Sequence, residues 1–240
     1  MRRQSYIGRI EVTPSEQAYI VLENVLTFSR DKLLLLAQSG SHNLNPYHNT
    51  LHELQNLYYS WACYVNQSAG DRSGPGVQDL VQAALFHDHN HSGGFFSDDR
   101  KNIARAVEFA ERELNLKEPV LRIIECTQFV NGEFPVEPTN LAEKCIRDAD
   151  LMTIYSNEGF RLMLGLFEEM SKKPLSGFSE SEVTAALEKT DDFLTAQTMY
   201  TDHGNRMRNE HLCGQLRKFE DYVWRQYKYE TDSRGRGQDE

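Results

Sequence analysis

Two histidines four positions apart, a His-Asp pair, a further histidine and a distant aspartate are the residues that could do chemistry together. They are His48 and His52 in Tyr47-His48-Asn49-Thr50-Leu51-His52, then His87, Asp88 and His91 in His87-Asp88-His89-Asn90-His91, then Asp150 in Asp148-Ala149-Asp150. Imidazole and carboxylate are the ligands that hold Zn, Mn, Mg or Fe in hydrolytic sites. Such ions polarise acyl or phosphoryl groups and acidify water, so metal-assisted hydrolysis is the first chemistry to test.

The spacing of each group carries part of the case. On a helix, His48 and His52 would share a face with Cβ atoms roughly 6 Å apart. Pro46 and Asn49 mark a helix start, which puts His48 near the first turn, where a metal-free ring can serve as a general acid. Alone, the pair reads equally as surface or capping histidines. Asp88 lies four after Ala84 and three after Leu85, on an apolar stripe. An unpaired carboxylate buried there costs several kcal/mol, about what coordination would relieve. The competing reading is a helix that ends in solvent before Gly93-Gly94. His91 follows His87 by four, while His89 should point elsewhere. Asp150 lies four after Ile146 and repeats the argument for Asp88. Asp148 faces about 160° away from it on a helix. Asp150 is therefore the expected ligand, and Asp148 should pair with Arg147 or cap a backbone group.

The surrounding chain reads as helices. Leu51, Leu54, Tyr58, Trp61 and Val65 fall at helical spacing, as do Val77, Leu80, Val81, Ala84 and Leu85. Two further stripes are Ile103, Ala106, Val107, Ala110 and Leu114, then Val120, Ile123, Ile124 and Thr127. More helices are expected through Phe160–Met170, Val183–Leu194 and Leu212–Tyr227. Residues 69–76, Ser92-Gly93-Gly94 and residues 131–138 read as breaks. Tyr6–Ile10 reads as a short strand or extended arm, and Thr13-Pro14-Ser15 as a helix start. Tyr200–Arg206 reads as a polar loop. No repeat or linker divides the chain, so one all-α domain over residues 1–230 with a disordered tail over 231–240 is expected.

Composition narrows the partners. The chain has 240 residues, 39% hydrophobic and 26% charged, with a formal charge of -10. That charge argues against a nucleic-acid duplex but not against a small phosphate, since a bound cation supplies local positive charge. Cys63, Cys126, Cys145 and Cys213 form no CxxC and read as reduced thiols. No apolar run reaches the ~18 residues of a membrane span, and none follows the basic start as in a secretory signal. A cytoplasmic protein is expected.

Taken in order, these motifs resemble the HD superfamily of metal-dependent phosphohydrolases. The nearest branch holds the class I cyclic nucleotide phosphodiesterases. Its Tyr-His-Asn-x-x-His is matched by Tyr47–His52, its His-Asp-x-x-His-x-Gly by His87–Gly93, and its Ala-Asp-Leu by Ala149-Asp150-Leu151. The resemblance covers roughly residues 45–155. A further group of HD phosphohydrolases, with a Tyr-His-Asn start and an Asp-Ala-Asp-Leu element, fits the length better. The resemblance implies that His52, His87, Asp88 and Asp150 ligate the tighter of two divalent ions, Mn, Mg, Zn or Fe. It implies that Asp88 bridges to the second ion, that His48 is the general acid, and that His91 holds a water or phosphate oxygen nearby. The base-gripping glutamine of that branch has no match, although Gln197 and Gln215 lie in the C-terminal part.

The reading that follows is a divalent-metal phosphohydrolase for a small phosphate ester, with a cyclic nucleotide leading. Asn49, Asn102 and Arg105 are candidate substrate contacts, and Lys101 lies beside them. The rivals are a nucleotidase or nucleoside triphosphate hydrolase, a metal-stabilised nucleotide-binding module without turnover, and a di-iron oxygenase.

Overall fold

The computed structural model describes residues 45–68, 74–93, 98–156 and 159–236. The Tyr6–Ile10 run, the Thr13-Pro14-Ser15 helix start, residues 69–73, Gly94 and the last four residues lie outside these. Among the described residues the chain is all-α. Its helices are α1 (Thr50–Gln67), α2 (Pro75–Phe86), α3 (Arg100–Arg112), α4 (Glu118–Glu125), α5 (Leu141–Met152), α6 (Gly159–Ser171), α7 (Glu180–Ala196) and α8 (Asp202–Arg236). An isolated bridge pairs Val130 with Glu133 in the loop before α5.

Local signals explain the boundaries. The Asn49 side chain accepts the N–H groups of Leu51 and His52 and so starts α1. Pro75 opens α2, where its missing N–H costs no helical bond. Asn140 caps α5 by accepting from Glu143 N–H, and Glu143 returns to accept from Thr139 N–H. Ser179 and Glu182 form a reciprocal capping box on α7.

The core lies where α1 packs on α5 and α2, with Leu57, Leu80, Val81, Ile124, Ile146 and Met152 fully buried. The stripes expected on α2, α3 and α4 face it, with Leu85, Val107 and Leu114 only partly covered. The stripe expected on α1 does so only through Leu54, Tyr58 and Trp61. Leu51 is exposed, Leu54, Tyr58, Trp61 and Val65 are only partly covered, and His52, Gln55, Asn56, Tyr59, Ser60 and Cys63 point inward instead. The inward side of α1 is polar because it backs the cluster described below.

Two further expectations are corrected. The polar segment Tyr200–Arg206 is not a loop throughout, because α8 begins at Asp202. Thr201 caps that start by accepting the N–H of Gly204 at 2.9 Å. The tail expected from Thr231 is helical as far as Arg236. There the chain continues an established helix, with Thr231 Oγ1 donating back to Tyr227 O at 2.9 Å. No helix among the described residues is long and apolar enough to cross a membrane.

Candidate metal centre

Four side chains meet between α1, the turn after α2, and α5. His52 lies on α1 just past its Asn49 cap and is fully buried. His87 and Asp88 follow the end of α2, in a turn held by His89 N–H to Phe86 O and His91 N–H to Asp88 O, each 3.0 Å. Asp88 was expected on the stripe of α2; it sits just past it, buried all the same. Asp150 comes from the last turn of α5.

His52 Nε2 lies 3.1 Å from Asp88 Oδ2 and 3.0 Å from Asp150 Oδ1. His87 Nε2 lies 3.0 Å from Asp88 Oδ2 and 3.7 Å from Asp150 Oδ1. Neither ring nitrogen of His52 has a hydrogen-bond partner, although both are buried. Ligands held about 2.1 Å from one ion stand about 3.0 to 3.4 Å from their neighbours, so three of these separations fit a shared cation and that of His87 from Asp150 is longer. His87 Nδ1 faces Ala84 O at 2.9 Å. A proton there leaves the Nε2 lone pair turned toward the carboxylates, the tautomer a metal ligand needs. Three of these side chains, the buried His52, His87 and Asp88, form a group that could hold a metal ion, and the half-buried Asp150 stands beside it.

The electrostatics agree. Burial disfavours the charged His52 ring, but Asp150 and Asp88 outweigh it and push its pKa up to about 9. His87 is raised by the same carboxylates against the same burial penalty. Burial would raise the pKa of Asp150 and Asp88, yet the histidines beside them hold both below the usual carboxylate range. The carboxylates thus favour protonated imidazoles beside them, and the same negative charge would favour a cation in the place of those protons.

A second group, His48, Asp88 and His91, shares Asp88 with the first. His48 lies two residues before α1, ahead of the first turn where it was expected. Its ring stacks on His91 with centroids 3.5 Å apart, and its Nδ1 is 2.6 Å from Glu169 Oε2. Glu169 Oε1 also accepts the N–H groups of Tyr47 at 2.6 Å and His48 at 3.0 Å. Burial pulls the His48 pKa down, but the Asp88 charge and the Glu169 hydrogen bond prevail and raise it. The His91 ring is held on both sides, with Nδ1 accepting from Gly93 N–H at 3.2 Å and Nε2, left with the ring proton, 3.3 Å from Asp99 Oδ1. Burial, then the charge of His48, lowers its pKa. Gly93 has φ +59°, and a Cβ there would come within 2.3 Å of Asn45 Oδ1, so the motif glycine is needed for that turn.

No family model, curated protein or solved structure matches this chain. The chemistry therefore rests on the geometry, which extends into a pocket of about 450 Å³. His48, Asp88, His91 and Asp150 lie in its wall, and Ile154, Phe129 and Phe193 supply apolar surface. That is a usual size and character for a small-molecule site. A larger cleft of about 650 Å³, bounded by Tyr64, Arg122 and Asn140, holds none of these groups.

Several candidates separate here. Asn102 belongs to the pocket wall. Arg105 is exposed and does not line it. Asn49 does not line it either, because its amide is used up at both ends. The oxygen caps α1, and the nitrogen donates to Asn45 O and Pro46 O at 3.2 and 2.9 Å. Asp148 caps a backbone group, one of the two roles foreseen for it, accepting from Tyr200 N–H at 2.9 Å and Thr201 N–H at 2.8 Å. His89 stacks on Phe109, away from the cluster. Gln197 and Gln215 bond to Phe193 O and Ser156 O and stay outside the pocket.

Three residues here escaped the sequence reading. Asn56 Nδ2 bonds to His87 Nε2 at 3.3 Å and to Asp150 Oδ1 at 3.4 Å. Asp99 lines the pocket beside His91. Glu169 continues the row Leu162, Leu166 at helical spacing, so the carboxylate-on-a-stripe rule that selected Asp88 and Asp150 would have found it.

Proposed function

We propose that this protein is a divalent-metal-dependent phosphohydrolase acting on a small phosphate ester, with a nucleotide phosphodiester as the leading substrate. The carrying observation is that His52, His87, Asp88 and Asp150 converge beside a histidine held by a buried carboxylate, at one end of a small-molecule pocket. His52, His87, Asp88 and Asp150 would hold the tighter ion, and Asp88 would reach a second one next to His48 and His91. Bound there, divalent cations such as Mn, Mg, Zn or Fe supply Lewis acidity that drains charge from phosphoryl oxygens and acidifies the attacking water.

The chain's own groups do the rest. Glu169 accepts from His48 Nδ1, which fixes the ring and favours its protonated form. His48 Nε2–H then delivers a proton to the oxygen leaving phosphorus. Gly93 N–H on Nδ1 and the Asp99 carboxylate beside Nε2 hold the His91 ring against His48. The apolar pocket wall excludes water from the reacting end and seats the organic part of the ester.

The test is a screen of phosphomonoesters, phosphodiesters, nucleoside triphosphates and cyclic nucleotides with Mn, Mg, Zn and Fe. His48→Ala should lower kcat at least a hundredfold while the metal content stays as in the wild type. Unchanged ligand affinity with no wild-type turnover of any ester would assign the site to a binding module instead.

A further inference from the structure

We propose that Asp99 is a positioning residue that ties the His91 ring to the Phe129 wall of the pocket, joining the proton-handling end to the seat of the substrate's organic group. The proposal rests on the phosphohydrolase reading above for its kinetic part only. Asp99 stands at the N-cap of α3, where an aspartate ordinarily accepts the N–H groups of the first turn. Its side chain makes no such bond.

The carboxylate is turned to two other places. Oδ1 lies 3.3 Å from His91 Nε2 and accepts from Asn102 Nδ2 at 3.0 Å. Oδ2 accepts the backbone N–H of Phe129 at 3.0 Å, 30 positions along the chain. Phe129 is the centre of an aromatic wall, its ring 4.9 Å from Phe134 and 5.4 Å from Phe193.

The rest of that loop is pinned from α5. The buried Arg147 guanidinium donates to Cys126 O at 2.5 Å and to Val136 O at 2.8 Å, and it lies over the Phe134 ring. Arg147 thus grips the loop on either side of Phe129, and Asp99 grips Phe129 itself. On the other side, the ring that Asp99 steadies is stacked on His48. A path of direct contacts then runs Phe129, Asp99, His91, His48, Glu169. An organic group that pushes on Phe129 would pull on the stack that carries the proton donor. Asp99 therefore acts on KM and kcat together, through the two groups it holds.

The test uses Asp99→Ala and the near-isosteric Asp99→Asn in Zn-loaded full-length protein. Two reporters need no turnover: hydrogen exchange of the Phe129 amide, and the His91 ring nitrogens seen by long-range nitrogen–proton NMR. In Asp99→Ala the Phe129 amide should exchange at least tenfold faster and the His91 ring signals should shift. Amides of α1 and α5 and the zinc content should stay as in the wild type. Asp99→Asn keeps one acceptor, so it should protect the Phe129 amide while still shifting His91. On p-nitrophenyl phosphate esters, kcat should fall at least tenfold in both variants, and KM should rise about threefold in Asp99→Ala. Should Asp99→Ala fail to fold, Asp99→Asn still decides the His91 arm. An unmoved Phe129 amide or unmoved His91 signals in Asp99→Ala overturns the tie, and so does an unshifted His91 ring in Asp99→Asn. A wild-type protein that cleaves no phosphate ester removes the functional reading, while the two reporters still decide the tie.

Discussion

Asp148 and Asp150 are two positions apart on the same helix, and their surroundings make opposite uses of the same carboxylate. Asp150 faces two imidazoles. Asp148 faces the start of α8, accepting two backbone N–H groups and the Thr201 hydroxyl, with Gly204 so close that a Cβ there would lie 2.4 Å from Asp148 Oδ2. Removing Asp148 leaves three donors without an acceptor, the two of Thr201 buried, at about 2 to 4 kcal/mol. Asp148→Ala should therefore lower the unfolding midpoint while metal stoichiometry in the folded protein is unchanged. Asp150→Ala should remove metal with a smaller loss of stability of the metal-free form. Elemental analysis beside denaturant unfolding separates the two, and the reverse pattern would put the ligand on the wrong residue. That Asp150 and Asp148 face opposite ways was legible in the sequence, because helical phase alone turns Asp150 toward the side of Ile146. Asn49 was read both as a helix start and as a substrate contact, and the first holds, because the amide that caps α1 has nothing left to offer a ligand.

At the scale of elements, the site depends on how closely α6 approaches the segment before α1. Gly165 makes that approach possible, since a Cβ there would sit 2.3 Å from Pro46 O, against backbone that has little room to yield. One turn further on, Glu169 holds the Tyr47 and His48 backbone and the His48 ring. Gly165→Ala should push α6 outward, costing about 1 to 3 kcal/mol by overpacking, and should loosen the grip of Glu169 on His48. The expected readout is a lowered unfolding midpoint with kcat reduced more than KM is changed. A variant with wild-type kcat would detach Glu169 from the proposed proton transfer. Helix identities were legible because their apolar periods and caps are local. The burial of α1 was not, because a period finds the apolar face, whereas α1 turns His52, Asn56 and Ser60 inward to support the cluster. The segment at Tyr200 misled for a related reason. Its polar residues read as a loop, although one of them, Thr201, is the cap of α8, and the Asp148 carboxylate that anchors Tyr200 and Thr201 lies 52 positions from Tyr200.

For the whole molecule, the cluster is a cross-link between distant stretches of chain, joining α1, the turn after α2, and α5. Any ion that binds only the folded arrangement stabilises it by mass action, about 2.7 kcal/mol at a hundred times its dissociation constant. For a domain of this size that corresponds to roughly 5 to 10 °C in Tm. The pH dependence follows from the metal-free cluster. The His52 pKa is raised to about 9, so its pairing with the carboxylates contributes stability that is full below the ordinary value near 6.5 and is lost as pH rises toward 9. Cation binding runs the other way, because it needs the rings unprotonated, and its apparent affinity falls by up to tenfold per pH unit for each proton displaced. Metal-free protein should thus lose stability from pH 6 to pH 8.5, and metal-loaded protein should gain over metal-free by more at pH 8.5. Thermal unfolding with and without a chelator at those two pH values measures both slopes. A midpoint that ignores the chelator at both would mean that the histidines and carboxylates bind no ion and serve only as a buried ion-pair network, and the hydrolytic reading would fall with them.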